Sequence, residues 1–201
     1  MGEVMAVSWL SIGGILSILL NLINAGSVVI VLGIALRKDL TGTLFRYFTV
    51  LSNILCAISS LLVAVFRITG MLPEAILLLK FAGTAAVTVT MMTVLLFLGP
   101  VVYDYKSLLS GGDLWLHLIC PLLAIVTYLA WDKPDVPFWT VLFGVLPVLL
   151  YGILYLYRVV LVPEEKRWED FYGFNKDGKW PLAFAAMIAA ASAISIVLWA
   201  I

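Results

Sequence analysis

The chain has 201 residues, of which 64% are hydrophobic and 12% charged, with a mean hydropathy of +1.13, whereas a soluble domain carries about a quarter charged residues. This composition argues against a water-soluble fold. The 12 basic and 12 acidic residues cancel and sit in short intervals between apolar runs, which argues against a nucleic-acid partner.

A bilayer core of about 30 Å needs about 20 apolar residues per helix, and six segments qualify. They run from about Ser8 to Leu36, Thr43 to Phe66, Ala75 to Leu98, Leu114 to Trp131, Phe138 to Leu161 and Trp180 to Ile201. The expected fold is therefore all-α, a polytopic six-helix bundle forming a single membrane domain over residues 1–201. No Lys or Arg precedes Trp9, and the first run is too long for a signal peptide, so it reads as a retained span. Span one contains Gly13, Gly14 and Gly26, small residues that let helices approach closely. Span two follows Arg37 to Gly42 and carries Thr49, Ser52, Asn53 and Cys56. Span three, after Pro73, carries Thr90 and Thr93, with Lys80 expected to snorkel its long stem outward. Span four holds His117, Cys120 and Pro121, and span five Pro147, Tyr155, Tyr157 and Arg158. Span six is small-residue-rich from Ala185 to Ala193. The longest interval, Val162 to Lys179, is too short for a core of its own. All seven tryptophans fall at or just beyond span ends, where an amphipathic ring favours the headgroup region. Cys56 and Cys120 lie inside apolar runs and read as buried small hydrophobes.

Short loops rich in Lys and Arg resist translocation. The first, third and fifth loops with their flanks hold Arg37, Lys38, Arg46, Lys106, Arg158, Lys166, Arg167, Lys176 and Lys179, against Arg67, Lys80 and Lys133 on the opposite side. The basic face is therefore expected to be cytoplasmic, with both termini outside.

Polar groups inside spans are costly without partners and are functional candidates by default. Thr49 early in span two, His117 early in span four, Thr90 and Thr93 late in span three, and Tyr155 and Arg158 late in span five share one depth beneath the basic face. His117 is the single histidine, which rules out a histidine-cluster metal site or a bis-histidine haem; no metal or cofactor is expected. Asp113, four residues earlier, is placed to cap the span and hold one imidazole nitrogen. Pro121 lacks the N–H that would bond the His117 carbonyl. Asn53 lies one turn below Thr49 and can donate an amide N–H. Hydroxyl, imidazole and amide are the minimal parts for acyl transfer, with His117 taking the Thr49 proton and Asn53 or a free backbone N–H steadying the oxyanion. Thr90, Thr93, Tyr155 and Arg158 would then contact the substrate. The competing reading is a non-enzymatic lipid-binding or small-solute transport protein, in which the same residues line a vestibule or hold helices together.

The run Arg46-Tyr47-Phe48-Thr49-Val50-Leu51-Ser52-Asn53 entering span two, with Leu116-His117-Leu118-Ile119-Cys120-Pro121 entering span four, resembles the androgen-induced-protein family of multi-pass membrane hydrolases and its bacterial six-helix relatives. The resemblance covers most of the chain as a six-helix pattern, and these two motifs are its specific part. It implies a threonine hydrolase of fatty acid esters of hydroxy fatty acids or related lipid esters, with membrane lipids as partners. Thr49 matches the family's threonine and His117 its histidine. The segment Trp168 to Asn175 is more similar to the bacterial relatives.

Overall fold

The computed structural model describes residues 11–38 and 40–201; the predicted start of span one at Ser8, the Trp9 anchor, the N-terminus and Asp39 lie outside the described residues. Six helices are each long and apolar enough to cross a membrane: α1 (Ile12–Lys38), α2 (Phe48–Ile68), α3 (Glu74–Val102), α4 (Gly111–Asp132), α5 (Phe138–Leu161) and α6 (Trp180–Ala200). No β-strand occurs among the described residues. The chain is an all-α, multi-pass integral membrane protein.

The layout follows from where the small residues lie. Helix α3 is the centre of the bundle, buried without interruption from Lys80 to Met91 and packed against α2, α4, α5 and α6. Its Ala82, Gly83, Ala85 and Ala86 permit that approach: a Cβ at Gly83 would sit 3.0 Å from the Cys56 Cα on α2. Helix α1 packs on α2 and α4, and α5 pairs with α6, where Gly144 faces Ser195. Cys56 and Cys120 are both free and buried.

The three odd-numbered loops gather at one end of the bundle. The Tyr103 hydroxyl there donates to the Phe171 carbonyl at 3.1 Å, and Tyr172 reaches the start of α2. At the other end, Trp199 Nε1–H donates to the Val136 carbonyl at 2.9 Å.

Two boundaries differ from the sequence reading in ways that matter for function. Helix α2 begins at Phe48 rather than Thr43, because Thr43–Arg46 forms a separate 3₁₀ turn behind Gly42 (φ 73°) and Tyr47 is extended. Thr49 is thus in the first turn of α2. Helix α4 begins at Gly111 and is wound with i→i−5 bonds over Trp115–Ile119, a looser turn just before Pro121.

Inside the far half of the bundle lies a buried ionic cluster. Asp132, at the end of α4, turns inward and accepts from Ser17 Oγ (2.8 Å), Asn21 Nδ2 (2.7 Å) and Arg67 (2.8 Å). Lys80 does not snorkel outward: it is fully buried and donates to Asn21 Oδ1 at 2.7 Å and Ser60 Oγ at 2.8 Å. Four acceptor contacts, one of them from the Asp132 counter-charge, hold Lys80 and Arg67 inside, so extension of the stem toward water is not required. The cluster ties α1, α2, α3 and α4 together, whereas α5 and α6 contribute no member. It also leaves Lys133 as the one basic residue of the far side that is not enclosed there, so the surface charge contrast between the two ends is sharper than the sequence count.

Candidate active site

Thr49 and His117, which are 68 residues apart in sequence, meet across α2 and α4 with Oγ1 and Nε2 3.3 Å apart. The imidazole is buried, and its Nδ1 lies 2.7 Å from the Leu108 carbonyl. A carbonyl can only accept, so Nδ1 carries a proton; in the neutral ring Nε2 then presents its lone pair, and the Thr49 hydroxyl donates to it. The Leu108 carbonyl is set by the short helical turn Tyr105–Leu108, whose N-cap Asp104 accepts from the Ser107 N–H at 2.8 Å. This hydroxyl–imidazole–acceptor chain has the order of a nucleophile, a base and an orienting group.

The orienting group is not Asp113. That residue is exposed in the first turn of α4, with Ser110 at the cap position, and the Leu108 carbonyl occupies the place expected for its carboxylate. Asn53 also has a different part. Its amide protons go to the Thr49 carbonyl at 2.8 Å and the Leu116 carbonyl at 3.0 Å, leaving none for an oxyanion. The Leu116 carbonyl, rather than that of His117, accepts from α2 because the i→i−5 winding shifts the register ahead of Pro121. Asn53 thereby clamps the first turn of α2 to α4 and fixes the Thr49 to His117 distance. Asn24 repeats the device from α1, donating to the Cys120 carbonyl at 2.9 Å.

A cavity of about 620 Å³ reaches Thr49, and His117 is not in its lining. Its walls are apolar over most of their area: Val89, Val94, Phe97 and Leu98 of α3, Val148 and Gly152 of α5, and Ala183, Ala186, Met187 and Ala190 of α6. Exposed Phe97 and Leu182 line it toward the surrounding lipid, and exposed Lys176, Asp177 and Lys179 line it toward the odd-loop end. Thr90 and Thr93 are both in the lining, although the Thr90 hydroxyl is bonded to Ser52 Oγ (2.9 Å) and the Ala86 carbonyl (3.3 Å). Tyr155 is in the lining too, its hydroxyl donating to Asp170 Oδ1 at 3.1 Å and accepting from the Tyr172 N–H. Arg158 is not. It lies exposed, with its guanidinium over the Trp168 ring.

The residue that the sequence did not single out is Tyr172. Its oxygen accepts from the Phe48 N–H at 3.0 Å, it is a hydrogen-bonding neighbour of the Thr49 hydroxyl and N–H, and it lines the cavity. Burial pushes its phenol up to about 12, so it keeps its proton at neutral pH. Asp170 holds the segment in place by accepting from the Phe174 N–H (2.8 Å) and Asn175 N–H (2.7 Å). Aspartate followed by a glycine three residues on is a turn signal that the sequence does offer; its folding back over the start of α2 is a tertiary event without a local signature.

Comparison with protein-family models, with curated proteins and with solved structures returned no match.

Proposed function

We propose that the chain is an intramembrane hydrolase of lipid esters, with Thr49 as nucleophile and His117 as general base. The single observation that carries this reading is the Thr49 Oγ1 to His117 Nε2 contact of 3.3 Å beside an apolar cavity of about 620 Å³ that Thr49 lines. The resemblance of the Arg46 to Asn53 and Leu116 to Pro121 motifs to the androgen-induced-protein family supports the same pair, and it gives the substrate class as fatty acid esters of hydroxy fatty acids or related acyl esters. By the positive-inside rule the site lies near the cytoplasmic interface, with both termini outside.

In this mechanism the acyl chain enters between α3 and α6 and lies along Ala183, Ala186 and Ala190. His117 Nε2 takes the Thr49 proton as Oγ1 attacks the ester carbonyl. The tetrahedral oxyanion forms at the N-terminus of α2, where the helix dipole favours negative charge, and the Tyr172 O–H donates to it. His117 then returns the proton to the leaving alkoxide, and a water activated by the same nitrogen cleaves the acyl-threonine.

The test is covalent labelling of purified protein by a fluorophosphonate probe, with ester turnover measured in parallel. Label and turnover are expected to vanish in Thr49→Ala and in His117→Ala while the melting temperature is retained. Survival of both signals in either variant rejects the dyad. Absence of label and turnover in the wild type, with lipid still bound in the cavity, selects the non-enzymatic lipid-binding reading instead.

A further inference from the structure

Outside the cavity, two arginines share one indole ring. The Arg46 guanidinium carbon lies 5.6 Å and the Arg158 guanidinium carbon 5.5 Å from the centroid of the Trp168 ring. Their backbones are held: the Arg46 carbonyl accepts from the Tyr151 hydroxyl at 2.7 Å, and the Arg158 carbonyl from the Trp168 N–H at 3.0 Å. The side chains are not neutralised. Among the described residues the ion pairs are Arg67 with Asp132 and Lys179 with Asp177, and neither Arg46 nor Arg158 has a carboxylate partner. Glu164, Glu165 and Glu169 lie in the same loop, exposed and unpaired, while Asp170 is engaged with Tyr155, Phe174 and Asn175.

Two like charges repel, and holding them against one ring is favourable only in part through the ring's negative face. A guanidinium lying over a ring keeps its edge N–H groups free, and those edges match the geometry of a phosphate bidentately. The Trp168 indole N–H adds a donor with no acceptor among the described residues. Arg46 sits just before α2 enters the apolar zone and Arg158 in the last turn of α5 as it leaves, so the group lies at the level where lipid headgroups begin.

We infer that Arg46, Trp168 and Arg158 form a binding site for the phosphate group of an anionic membrane lipid, distinct from the Thr49 cavity. The bound phosphate supplies the missing counter-charge and bridges the first and fifth loops. Because Trp168 is in the loop whose Tyr172 covers Thr49, an occupied site would also hold that loop in place.

Lipid retention measured by native mass spectrometry on the full chain in neutral detergent tests the assignment, with phosphatidylglycerol, diacylglycerol of the same acyl chains, and inorganic phosphate as separate additions. The wild type is expected to retain phosphatidylglycerol, and Arg46→Gln/Arg158→Gln to lose about tenfold in apparent affinity, as expected for removing bidentate charged contacts. Arg37→Gln/Lys38→Gln, which removes two exposed charges from the same end, should bind as the wild type does. Equal loss in that control would show generic surface charge and overturn the assignment. It is equally overturned if diacylglycerol retention depends on the same arginines, or if millimolar inorganic phosphate displaces the lipid, which would make the site one for a soluble anion. Should the double variant fail to fold, either single glutamine variant decides the matter by a loss of about threefold.

Discussion

Removing the buried Asp132 carboxylate should destabilise the bundle strongly, because it leaves a buried cation unpaired. Asp132 is fully buried and is the one carboxylate contacting Arg67, itself only 3% exposed; Asp132→Ala leaves that guanidinium with the Trp131 carbonyl at 3.0 Å as its remaining acceptor. Ser17 and Asn21 lose acceptors as well. Hydrogen bonds between neutral groups in membrane bundles contribute only about 0.6 kcal/mol each, so the uncompensated charge decides the magnitude, at about 3–5 kcal/mol. For a chain of this size each kcal/mol lowers the melting temperature by about 2–4 °C, so a fall of about 6–20 °C is expected. Thermal unfolding in mild detergent, followed by size-exclusion recovery, measures it. Arg67→Met/Asp132→Leu removes both charges and should recover much of the loss, because the penalty lies in the unpaired ion rather than in the absence of the pair. A fall under about 3 °C for Asp132→Ala, or a double variant as unstable as the sum of the singles, would refute the reasoning.

Three further substitutions have outcomes that follow from the geometry. Asn53→Ala should lower ester turnover by about tenfold to a hundredfold with little change in KM, since it loosens the Thr49 to His117 alignment without touching the cavity; an unchanged kcat would show that the clamp does not set the dyad. Tyr172→Phe should cost turnover about a hundredfold if its O–H steadies the oxyanion. The same residue carries an alkaline signature: its pKa in the folded chain, about 12, is above the ordinary value of 10, so its contribution to stability is complete below pH 10 and is lost as pH rises toward 12. A melting-temperature profile over that range should be shallower in Tyr172→Phe than in the wild type. Gly83→Ala places a Cβ 2.8 Å from Ser59 Oγ and 3.0 Å from the Cys56 Cα, and backbone on α2 cannot step aside cheaply. A loss of about 1–3 kcal/mol, seen as a lower melting temperature, is expected.

The spans were legible because burial in lipid imposes both length and composition, and Gly, Pro and charge mark every break. The level shared by Thr49 and His117 was legible too, since alternating helix direction fixes depth. The orienting partner was not. Reading Asp113 as that partner used helical spacing within α4, but the Nδ1 acceptor comes from a backbone carbonyl in the preceding loop, and carbonyls have no residue type. Asn53 was assigned by what an amide can donate; where its protons go depends on the i→i−5 winding before Pro121, a property of the folded backbone. Lys80 was misplaced for a related reason. Snorkelling is the default for a charge without a partner, and the partners of Lys80, Asn21 and Ser60, are neutral residues on other helices that no charge pattern reveals.

These partners divide the bundle by the type of contact that holds it. Helices α1 to α4 are joined by directional bonds, from Asp132 and Lys80 in the far half to Asn24 and Asn53 near the Thr49 end, and directional bonds resist sliding by even a fraction of an ångström. Helices α5 and α6 meet α3 through Val145, Val148, Ala191 and Met187, contacts that can shift with little loss because lipid tails solvate them equally well. The dyad lies entirely within the first group, and the cavity lies between the first group and the second. A lipid chain could therefore enter by displacing α6 from α3 without disturbing the 3.3 Å contact on which the proposed chemistry depends. A cross-link joining Thr93→Cys to Ala186→Cys should block turnover of long-chain esters while leaving fluorophosphonate labelling of Thr49 by a small probe intact. Loss of both together would mean that the two helix groups do not move independently.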